Sequence, residues 1–428
     1  METIFARASA QGKAGVSLIR LSGPHAFDCA AQMVGFIPKP RVATLANVLG
    51  SDQQIIDQAI VVCFSAPHSF TGEDIVEFHV HGSTAVVSKL LKNINKNENT
   101  RIAEPGEFTR RALENGKMDL AQVEGLADLI DAETEAQRTQ AQRVLSGELG
   151  RRADEWRSWL IRASALLEAT LDFADEDVPV DVTPEVRSLL SKTRHNLDRE
   201  AAGVTSAERL REGFEVAIIG APNVGKSTLL NTLAGREAAI TSDIAGTTRD
   251  VIEVRMDLSG FPVTFLDTAG LRNAVDAIEK IGIDRAVARA KSADMIVLLT
   301  QDGIVPPGAV LRPDDIAIKS KCDLDPGSDG VSGLTGAGID GLVDKITDVL
   351  AGRMMKDNVA TRERHQIALL RASEYLGVAI GVLEQGPDHY ELVAEELRSA
   401  ISALDSLIGR VDVEVVLDEI FSSFCLGK

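Results

Sequence analysis

Hydrophobic residues follow two different patterns along the chain. Over residues 4–117, short runs rich in β-branched residues at 16–21, 55–64 and 75–80 are accompanied by a run of helical spacing at 84–94. Short β-rich runs predict strands, and an amphipathic run of this length predicts a helix. The first 117 residues are therefore predicted to form an α+β domain.

Helical spacing dominates the next hundred residues and the end of the chain. Leu120, Val123, Ala127 and Ile130 recur at intervals of three or four residues, which places them on one face of a helix. The same spacing continues toward residue 210 and returns after residue 362. Helical segments thus flank the middle of the chain on both sides.

Strands alternate with helices in that middle segment. The predicted strands are 214–219, 251–258, 263–266, 295–300 and 316–319. This alternation is typical of a doubly wound sheet that binds its ligand at the carboxyl ends of the strands. The predicted fold class is multidomain, α+β and α/β, with an amino-terminal domain at 1–117, a discontinuous helical domain at 118–210 and 354–428, and an α/β domain at 211–353 inserted into the helical one.

Residues 220–227 have the sequence of a phosphate-binding loop. They read Gly-Ala-Pro-Asn-Val-Gly-Lys-Ser, between a predicted strand and a predicted helix. Glycines let backbone amides close around phosphate oxygens, Lys226 would reach the outer phosphates, and the Ser227 hydroxyl would hold Mg²⁺. The pattern predicts a nucleoside triphosphate site.

Three further motifs, at 246–250, 267–270 and 320–323, follow the phosphate loop in the order found in GTPases. Asp267-Thr-Ala-Gly270 ends a predicted strand, where it can contact the magnesium shell and sense a γ-phosphate. Gly246-Thr-Thr-Arg-Asp250 lies where the first switch would be, with Thr248 placed to complete the magnesium shell. Ser320-Lys-Cys-Asp323 stands at the guanine-reading position, so the inserted domain is predicted to be a Ras-like P-loop G domain that prefers GTP to ATP.

Two features depart from this pattern. Ser320 stands where asparagine is usual, which weakens the guanine assignment without removing Asp323, and the segment 301–315 is too short for the usual helix. Leu271 follows the DxxG motif and cannot orient a water molecule as a glutamine would. Arg249 and Arg272 are possible arginine fingers, but a monovalent cation near Asn223 is an alternative source of the positive charge.

Composition limits the other classes of function. The chain has 428 residues, a net charge of −19 and four scattered cysteines, so it is predicted to have about three domains and neither a disulfide framework nor a zinc site. The acidic charge argues against a surface that binds nucleic acid throughout. Local patches at Arg110-Arg111 or Arg151-Arg152 stay open, although solvated or salt-bridged arginines are the favoured interpretation. A membrane span is not expected, and a reducing cytosol fits best.

Motifs outside the G domain complete a family resemblance. The chain resembles the MnmE (TrmE) family of potassium-dependent tRNA-modifying GTPases over essentially its whole length. The G motifs carry this resemblance together with residues 69–74, 77–82, 105–110, 117–122 and the terminal Phe-Cys-Leu-Gly-Lys at 424–428. The resemblance implies that residues 1–117 form a tetrahydrofolate-binding and dimerisation domain.

The resemblance also implies roles for individual residues. Asn223, Ser242, Ile244 and Thr247 would coordinate K⁺, Ser227 and Thr248 would bind Mg²⁺, and Glu279 would position the attacking water. Arg20, Glu77, Lys117 and Lys428 would hold 5-formyl-tetrahydrofolate or a related one-carbon folate, and Cys425 would take part in the modification chemistry. The predicted GTP contacts are Asn223, Val224, Gly225, Lys226, Ser227, Thr228, Ser242, Asp243, Ile244, Ala245, Gly246, Thr247, Thr248, Asp267, Thr268, Ala269, Gly270, Ser320, Lys321, Asp323, Ser332 and Gly333.

The family's partners follow from the same resemblance. Members form a homodimer and act with MnmG (GidA), a flavoprotein, to install an aminomethyl-type group at carbon 5 of the wobble uridine of certain tRNAs. The alternative function is a regulatory GTPase of the ribosome-assembly type, without modification chemistry of its own. The amino-terminal signatures and Cys425 favour the modifying enzyme, although a lone cysteine is more often a buried apolar residue.

Overall fold

The structure, a computed structural model, describes residues 2–172, 181–221, 223–236, 253–267, 292–301, 311–325, 329–353, 358–411, 421 and 427. Contacts divide the chain into two compact units, one of residues 1–127 and 404–428 and the other of residues 128–403. Each unit is described by itself.

A six-stranded sheet forms the centre of the first unit. Its elements are β1 (Thr3–Arg7), β2 (Ala14–Ser22), α1 (Ala26–Val34), β3 (Thr44–Leu49), β4 (Ile55–Phe64), β5 (Ile75–Gly82), α2 (Thr84–Ile94), β6 (Thr100–Ile102) and α3 (Glu107–Glu114). The strand order is β3-β4-β5-β2-β1-β6, and all neighbours are antiparallel except β1 and β6. The predicted α+β character of this part of the chain is confirmed.

Alternation along β5 decides which side chains this sheet buries. Val76, Phe78 and Val80 point into the core formed with α1 and α2, so Glu77 and His79 lie on the opposite face. Helix α2 begins at Thr84 because the Ser83 side chain accepts a hydrogen bond from the Val86 amide. Glu77, one of the residues predicted to hold folate, therefore lies on the face opposite α1 and α2.

The second unit begins with long helices. After α4 (Leu120–Asp131) come α5 (Glu135–Leu145), α6 (Glu148–Asp172) and α7 (Thr183–Glu212), and the chain later forms α10 (Glu363–Leu383) and α11 (Tyr390–Leu407). Helix α7 packs against α6 and α10 and buries Leu190, Leu197 and Val204. Within the described ranges, α10 alone has the length and apolar composition of a membrane span, a weak signal that core helices also give. Its buried residues Leu369 and Leu376 belong to the core against α7.

A five-stranded sheet occupies the rest of this unit. Its elements are β7 (Phe214–Gly220), α8 (Lys226–Ala234), β8 (Glu253–Leu258), β9 (Phe261–Asp267), β10 (Met295–Thr300), β11 (Ile316–Lys319) and α9 (Ile339–Arg353). The order is β11-β10-β7-β9-β8, and only the β8–β9 pair is antiparallel. This is the predicted α/β sheet, and β9 extends beyond the predicted strand at both ends.

The sheet is inserted between helices of the bundle. Gly213 alone separates α7 from β7, and the chain returns to helix at Glu363 after α9 ends at Arg353. The buried Glu200 carboxylate of α7 accepts hydrogen bonds from the amides of Val359 (2.6 Å) and Ala360 (2.8 Å). One helix therefore holds both the exit of the chain into the sheet and its return.

Candidate functional site

The segment between β7 and α8 adopts the geometry of a phosphate loop. Gly220 and Gly225 have φ values of +154° and +108°, and a Cβ at Gly220 would overlap the Leu299 carbonyl oxygen. The Lys226 side chain is buried, and its ammonium donates to the carbonyl oxygens of Gly220 and Ala221, each at 2.9 Å. Lys226 and Ser227 begin α8, so phosphates bound here would meet a helix amino terminus.

Residues 320–323, which the sequence predicts to read guanine, lie at the same edge of the sheet. Strands β7, β10 and β11 are parallel neighbours, so the phosphate loop after β7 and residues 320–323 after β11 both follow carboxyl ends. Gly333 packs so tightly on α8 that a Cβ there would lie 2.6 Å from the Leu229 nitrogen. The structure thus brings Asn223 to Thr228, the segment after β11, and Ser332-Gly333 into one region, as the sequence predicts.

The Ser320 side chain forms a structural hydrogen bond at this edge of the sheet. Its hydroxyl donates to the Thr300 carbonyl oxygen at 2.9 Å, and its side chain is buried. Asp323 is half-buried in a 3₁₀ turn, Cys322–Leu324, that follows Lys321 in the left-handed region (φ 56°). The Ser320 hydroxyl is therefore engaged with the backbone, and Asp323 supplies the carboxylate of the segment 320–323.

Changing Asp323 to asparagine should shift the preferred nucleotide from GTP to xanthosine triphosphate. The carboxylate would accept the N1 and amine protons of guanine, and an unmatched buried donor costs about 1–3 kcal/mol, so GTP affinity should fall at least about 5-fold. Isothermal calorimetry with GTP, ATP and xanthosine triphosphate measures this. Asp325→Asn, which removes a carboxylate paired with Lys319 in the same segment, is the matched control. Equal binding of GTP and ATP by the unmodified chain would contradict the guanine assignment.

Several predicted nucleotide residues lie outside the described residues. They are Ser242, Asp243, Ile244, Ala245, Gly246, Thr247, Thr248, Thr268, Ala269, Gly270 and the water-positioning candidate Glu279. The described residues also exclude Leu271, Arg249 and Arg272. They exclude residues 302–310 as well, which are most of the shortened segment 301–315. Asp267 is the last residue of β9, so the structure gives its place in the sheet.

Arg20 and Glu77 form a cross-strand pair on the face of the six-stranded sheet opposite α1 and α2, called here the open face. They are direct partners in the β2–β5 register, and the Arg20 Nε donates to Glu77 Oε1 at 2.9 Å. The Arg20 guanidinium also lies 5.4 Å from the ring centroid of Phe70 and 5.8 Å from that of Phe108. These contacts hold a charged pair, each side chain less than a fifth exposed, in a fixed orientation.

The loop 69–74 connects this pair to Lys117. It carries Phe70 against Arg20, and it places Gly72 so that a Cβ would lie 3.1 Å from Lys117 Cε. Lys117 is exposed, and Gly72 has a φ of +80°, so a side chain at position 72 would both strain the backbone and displace Lys117. The structure therefore places three of the four predicted folate residues, Arg20, Glu77 and Lys117, around one loop.

Ion pairs and hydrogen bonds of largely buried charged side chains hold the loop 69–74 in place. The Glu73 carboxylate accepts hydrogen bonds from Arg111 (3.0 Å) and from the Ser22 hydroxyl (2.6 Å), and Arg111 also binds Glu107. Burial acts to raise the pKa of Glu107, yet hydrogen bonds from Arg101, the Glu104 amide and Arg111 hold that pKa below its usual range. Glu107 consequently stays ionised and keeps Arg111 in place at neutral pH.

His79 lies beside Glu77 and was missed by sequence reasoning. Its Nε2 is 3.6 Å from Glu77 Oε2, and the two residues share the open face of β5. The alternating sequence Glu77-Phe-His79-Val-His81 was the available signal, because period two along a strand puts all three polar residues on one face.

The carboxyl-terminal tail is held on the first unit. Phe421 is buried beside Gly106 and Val123, with the Arg110 guanidinium 5.0 Å from its ring centroid. Gly427, at φ +99°, leaves no space for a Cβ against the backbone of Arg7 and Ala8. Cys425 and Lys428 are outside the described residues, and the described residues Phe421 and Gly427 lie on the unit that carries Arg20 and Glu77.

Two other thiols of this unit are poor nucleophiles. Burial raises the pKa of the Cys29 thiol to about 11, and burial together with the nearby Asp74 charge raises that of Cys63 to about 11. Both side chains belong to the core under the sheet. Neither thiol is available for chemistry at neutral pH.

Comparison with known proteins agrees with both halves of this picture. A family model of the MnmE helical domain matches residues 120–425, and a family model of the GTP-binding protein TrmE N-terminus matches residues 3–117. The chain is 60% identical to the tRNA modification GTPase MnmE of Roseobacter denitrificans and 58% identical to that of Ruegeria pomeroyi, with 100% of both chains covered in each case. Among solved structures, an Aquifex aeolicus Era variant bound to GDP.AlF4- is 24% identical over 38% of this chain and 66% of its own, with a TM-score of 0.25.

Proposed function

The chain belongs to the MnmE family of tRNA modification GTPases, and from this premise we propose that it is a K⁺-stimulated GTPase of wobble-uridine modification. With a flavoprotein partner of the MnmG (GidA) type, it installs an aminomethyl-type group at carbon 5 of the wobble uridine of certain tRNAs. A folate supplies the one-carbon unit. The observation that carries this proposal is the presence, in one chain, of a formed phosphate loop and of the Arg20–Glu77 pair, with the loop 69–74 contacting both Arg20 and Lys117.

The nucleotide site fits GTP with Mg²⁺. Lys226 already lies inside the loop, and Ser227, in the first turn of α8, offers the hydroxyl that a magnesium ion takes in such loops. Thr248 would be the second protein ligand. Bound Mg²⁺ would neutralise charge on the phosphates, while Lys226 and the amides of the loop orient them for hydrolysis.

Asn223 fits the role of a K⁺ ligand. It is exposed on the phosphate loop with a φ of +59°, a conformation that asparagine tolerates better than most residues. Its carbonyl oxygen is a suitable donor for a monovalent cation, together with Ser242, Ile244 and Thr247. In this proposal Glu279 positions the attacking water, because Leu271 has no hydrogen-bonding group.

The folate site rests on charge and on available hydrogen-bond acceptors. Glu77 Oε1 is held by Arg20, and Glu77 Oε2 faces His79, so the carboxylate is oriented to accept donors from an aminopteridine edge. Arg20, Lys117 and Lys428 would supply positive charge for the glutamyl tail or the ring carbonyl. A regulatory switch without chemistry would have no use for this arrangement, which favours the modifying enzyme.

Replacing Glu77 by alanine should abolish retention of 5-formyl-tetrahydrofolate and spare GTP hydrolysis. The change removes the acceptor for two donors of the pteridine and leaves Arg20 without its partner. Folate retained after gel filtration, measured by absorbance, gives the result. Asp57→Ala, which breaks the neighbouring carboxylate–His81 pair, is the matched control and should keep folate. Unchanged retention by the Glu77 variant would move the site elsewhere.

The same unit also supports the proposed homodimer. On the sheet face that α1 and α2 leave open, Leu45, Ile60, His79 and Leu18 form one row across four strands, and Leu45 and Ile60 are 64% and 43% exposed. Exposed apolar residues in such a row favour association with another protein surface. We propose a cytoplasmic homodimer built on residues 1–117, with the helical domain and the inserted G domain divided as the sequence predicts.

A further inference from the structure

Helices α6 and α7 pack side by side and expose a short ridge of basic residues. Lys192 of α7 sits over Trp159 of α6, with its ammonium 3.6 Å from the ring centroid. Arg152 of α6 pairs with Glu200 of α7, which aligns the other end of the helix pair. Lys192 and Arg199 are seven residues apart and therefore share one face of α7, about 10 Å apart along its axis. We call Arg151, Trp159, Lys192 and Arg199 the α6–α7 ridge.

The arginine pairs noted in the sequence differ in what they contact. Arg111 binds Glu73 and Glu107, Arg110 stacks over Phe421, and Arg152 binds Glu148 and Glu200. These three are structural, as the favoured interpretation of the sequence held. Arg151 is exposed and donates only to the Ser146 carbonyl oxygen among the contacts described, so its charge is not neutralised.

The ridge cations lack acidic partners in the part of the chain that the structure describes. Lys192 and Arg199 are exposed, and neither lies within ion-pair distance of a described carboxylate. Their neighbours on α7 differ, because Arg187 pairs with Glu384 and Arg194 with Asp198. Two exposed acidic residues lie on the α6 side: Glu155 shares a helix face with Arg151 and Trp159, and Asp154 is three residues from Arg151.

We propose that the α6–α7 ridge contacts the phosphate backbone of the tRNA substrate, an inference that rests on the proposed function. On a chain of net charge −19, an RNA approaches favourably only where positive charge is not neutralised. Lys192 and Arg199 make the phosphate contacts, and Arg151 extends them. Trp159 holds the Lys192 ammonium at a fixed height, which lowers the entropy cost of the contact.

The test compares two double variants that remove the same charge from the same helix. Lys192→Gln with Arg199→Gln removes the ridge cations, and Arg187→Gln with Arg194→Gln removes paired ones. Binding of unmodified tRNA is measured by fluorescence anisotropy over a series of KCl concentrations. The ridge variant should bind about 10-fold more weakly, and the slope of log affinity against log salt should become shallower by about 1 to 2, since each lost phosphate contact removes close to one unit.

Further measurements separate this inference from the proposed function. Both variants should keep the K⁺-stimulated GTPase rate and the melting temperature of the unmodified chain, and Glu155→Gln should strengthen tRNA binding. Equal loss of tRNA affinity in the two double variants, or no loss in either, would overturn the proposal that the α6–α7 ridge contacts tRNA. If cells carrying the ridge variant keep normal wobble nucleosides and the variant binds tRNA as tightly as the unmodified chain, the proposed tRNA contact is wrong while the proposed function stands. Normal nucleosides in cells without the chain would overturn the function itself.

Discussion

GTP hydrolysis by this protein should be about 10³-fold faster in K⁺ than in Na⁺. An arginine finger contributes about 10³ to 10⁵ in rate by stabilising charge on the transferred phosphoryl group, and a cation in its place should have an effect of that order. Asn223 lies exposed on the phosphate loop, and its side-chain carbonyl oxygen is the donor proposed for K⁺. Phosphate release at saturating GTP in the two chloride salts measures the effect.

The structure supplies a matched variant for this prediction. Asn223→Ala removes one proposed ligand, so it should lose most of the K⁺ stimulation while its slow hydrolysis in Na⁺ stays nearly unchanged. Lys226→Ala should instead lose nucleotide binding in both salts, since the ammonium lies within the loop. Equal turnover of the unmodified chain in K⁺ and Na⁺ would show that the missing positive charge comes from another source.

Changing Cys425 to serine should eliminate wobble-uridine modification and leave GTP hydrolysis intact. Phe421 and Gly427 anchor the tail on both sides of Cys425, on the unit that carries Arg20 and Glu77. The substitution keeps the size of the side chain and removes the thiol, so any loss reports on its chemistry. Modification is measured with purified flavoprotein partner, NADH, an amine donor, tRNA, GTP and the one-carbon folate.

The buried thiol of Cys29 provides the control for this experiment. Burial raises its pKa to about 11, so Cys29→Ala should leave the modification rate unchanged as long as the unit stays folded. A normal modification rate in the Cys425 variant would make that residue structural. Loss of both modification and GTP hydrolysis would point to a folding defect, which melting curves of the variant would show.

The sequence predicts local geometry at the nucleotide site well. Strand β7, the glycines of the loop and the start of α8 are consecutive, so one stretch of chain specifies the whole phosphate cradle. The placement of residues 320–323 beside it follows from the parallel order of β7, β10 and β11, which alternation of strands and helices indicates. The backbone contact of Ser320 could not be predicted, because it depends on how β10 ends.

Long-range pairs were beyond sequence reasoning. Arg20 and Glu77 are 57 residues apart, and only the register of β2 against β5 makes them partners. Composition and spacing give no register between distant strands, so these residues were chosen by family resemblance alone. The contact of Lys192 with Trp159 depends in the same way on the packing of α6 against α7, since neither residue belongs to a recognisable motif.

Mass spectrometry of tRNA wobble nucleosides from cells that lack this protein decides whether the chain acts in wobble-uridine modification. Carbon-5 aminomethyl-type uridines should disappear from these cells, and the gene for the unmodified chain should restore them, whereas genes for the Glu77→Ala and Cys425→Ser variants should not. A normal nucleoside profile in cells that lack the protein would instead show a GTPase switch without modification chemistry.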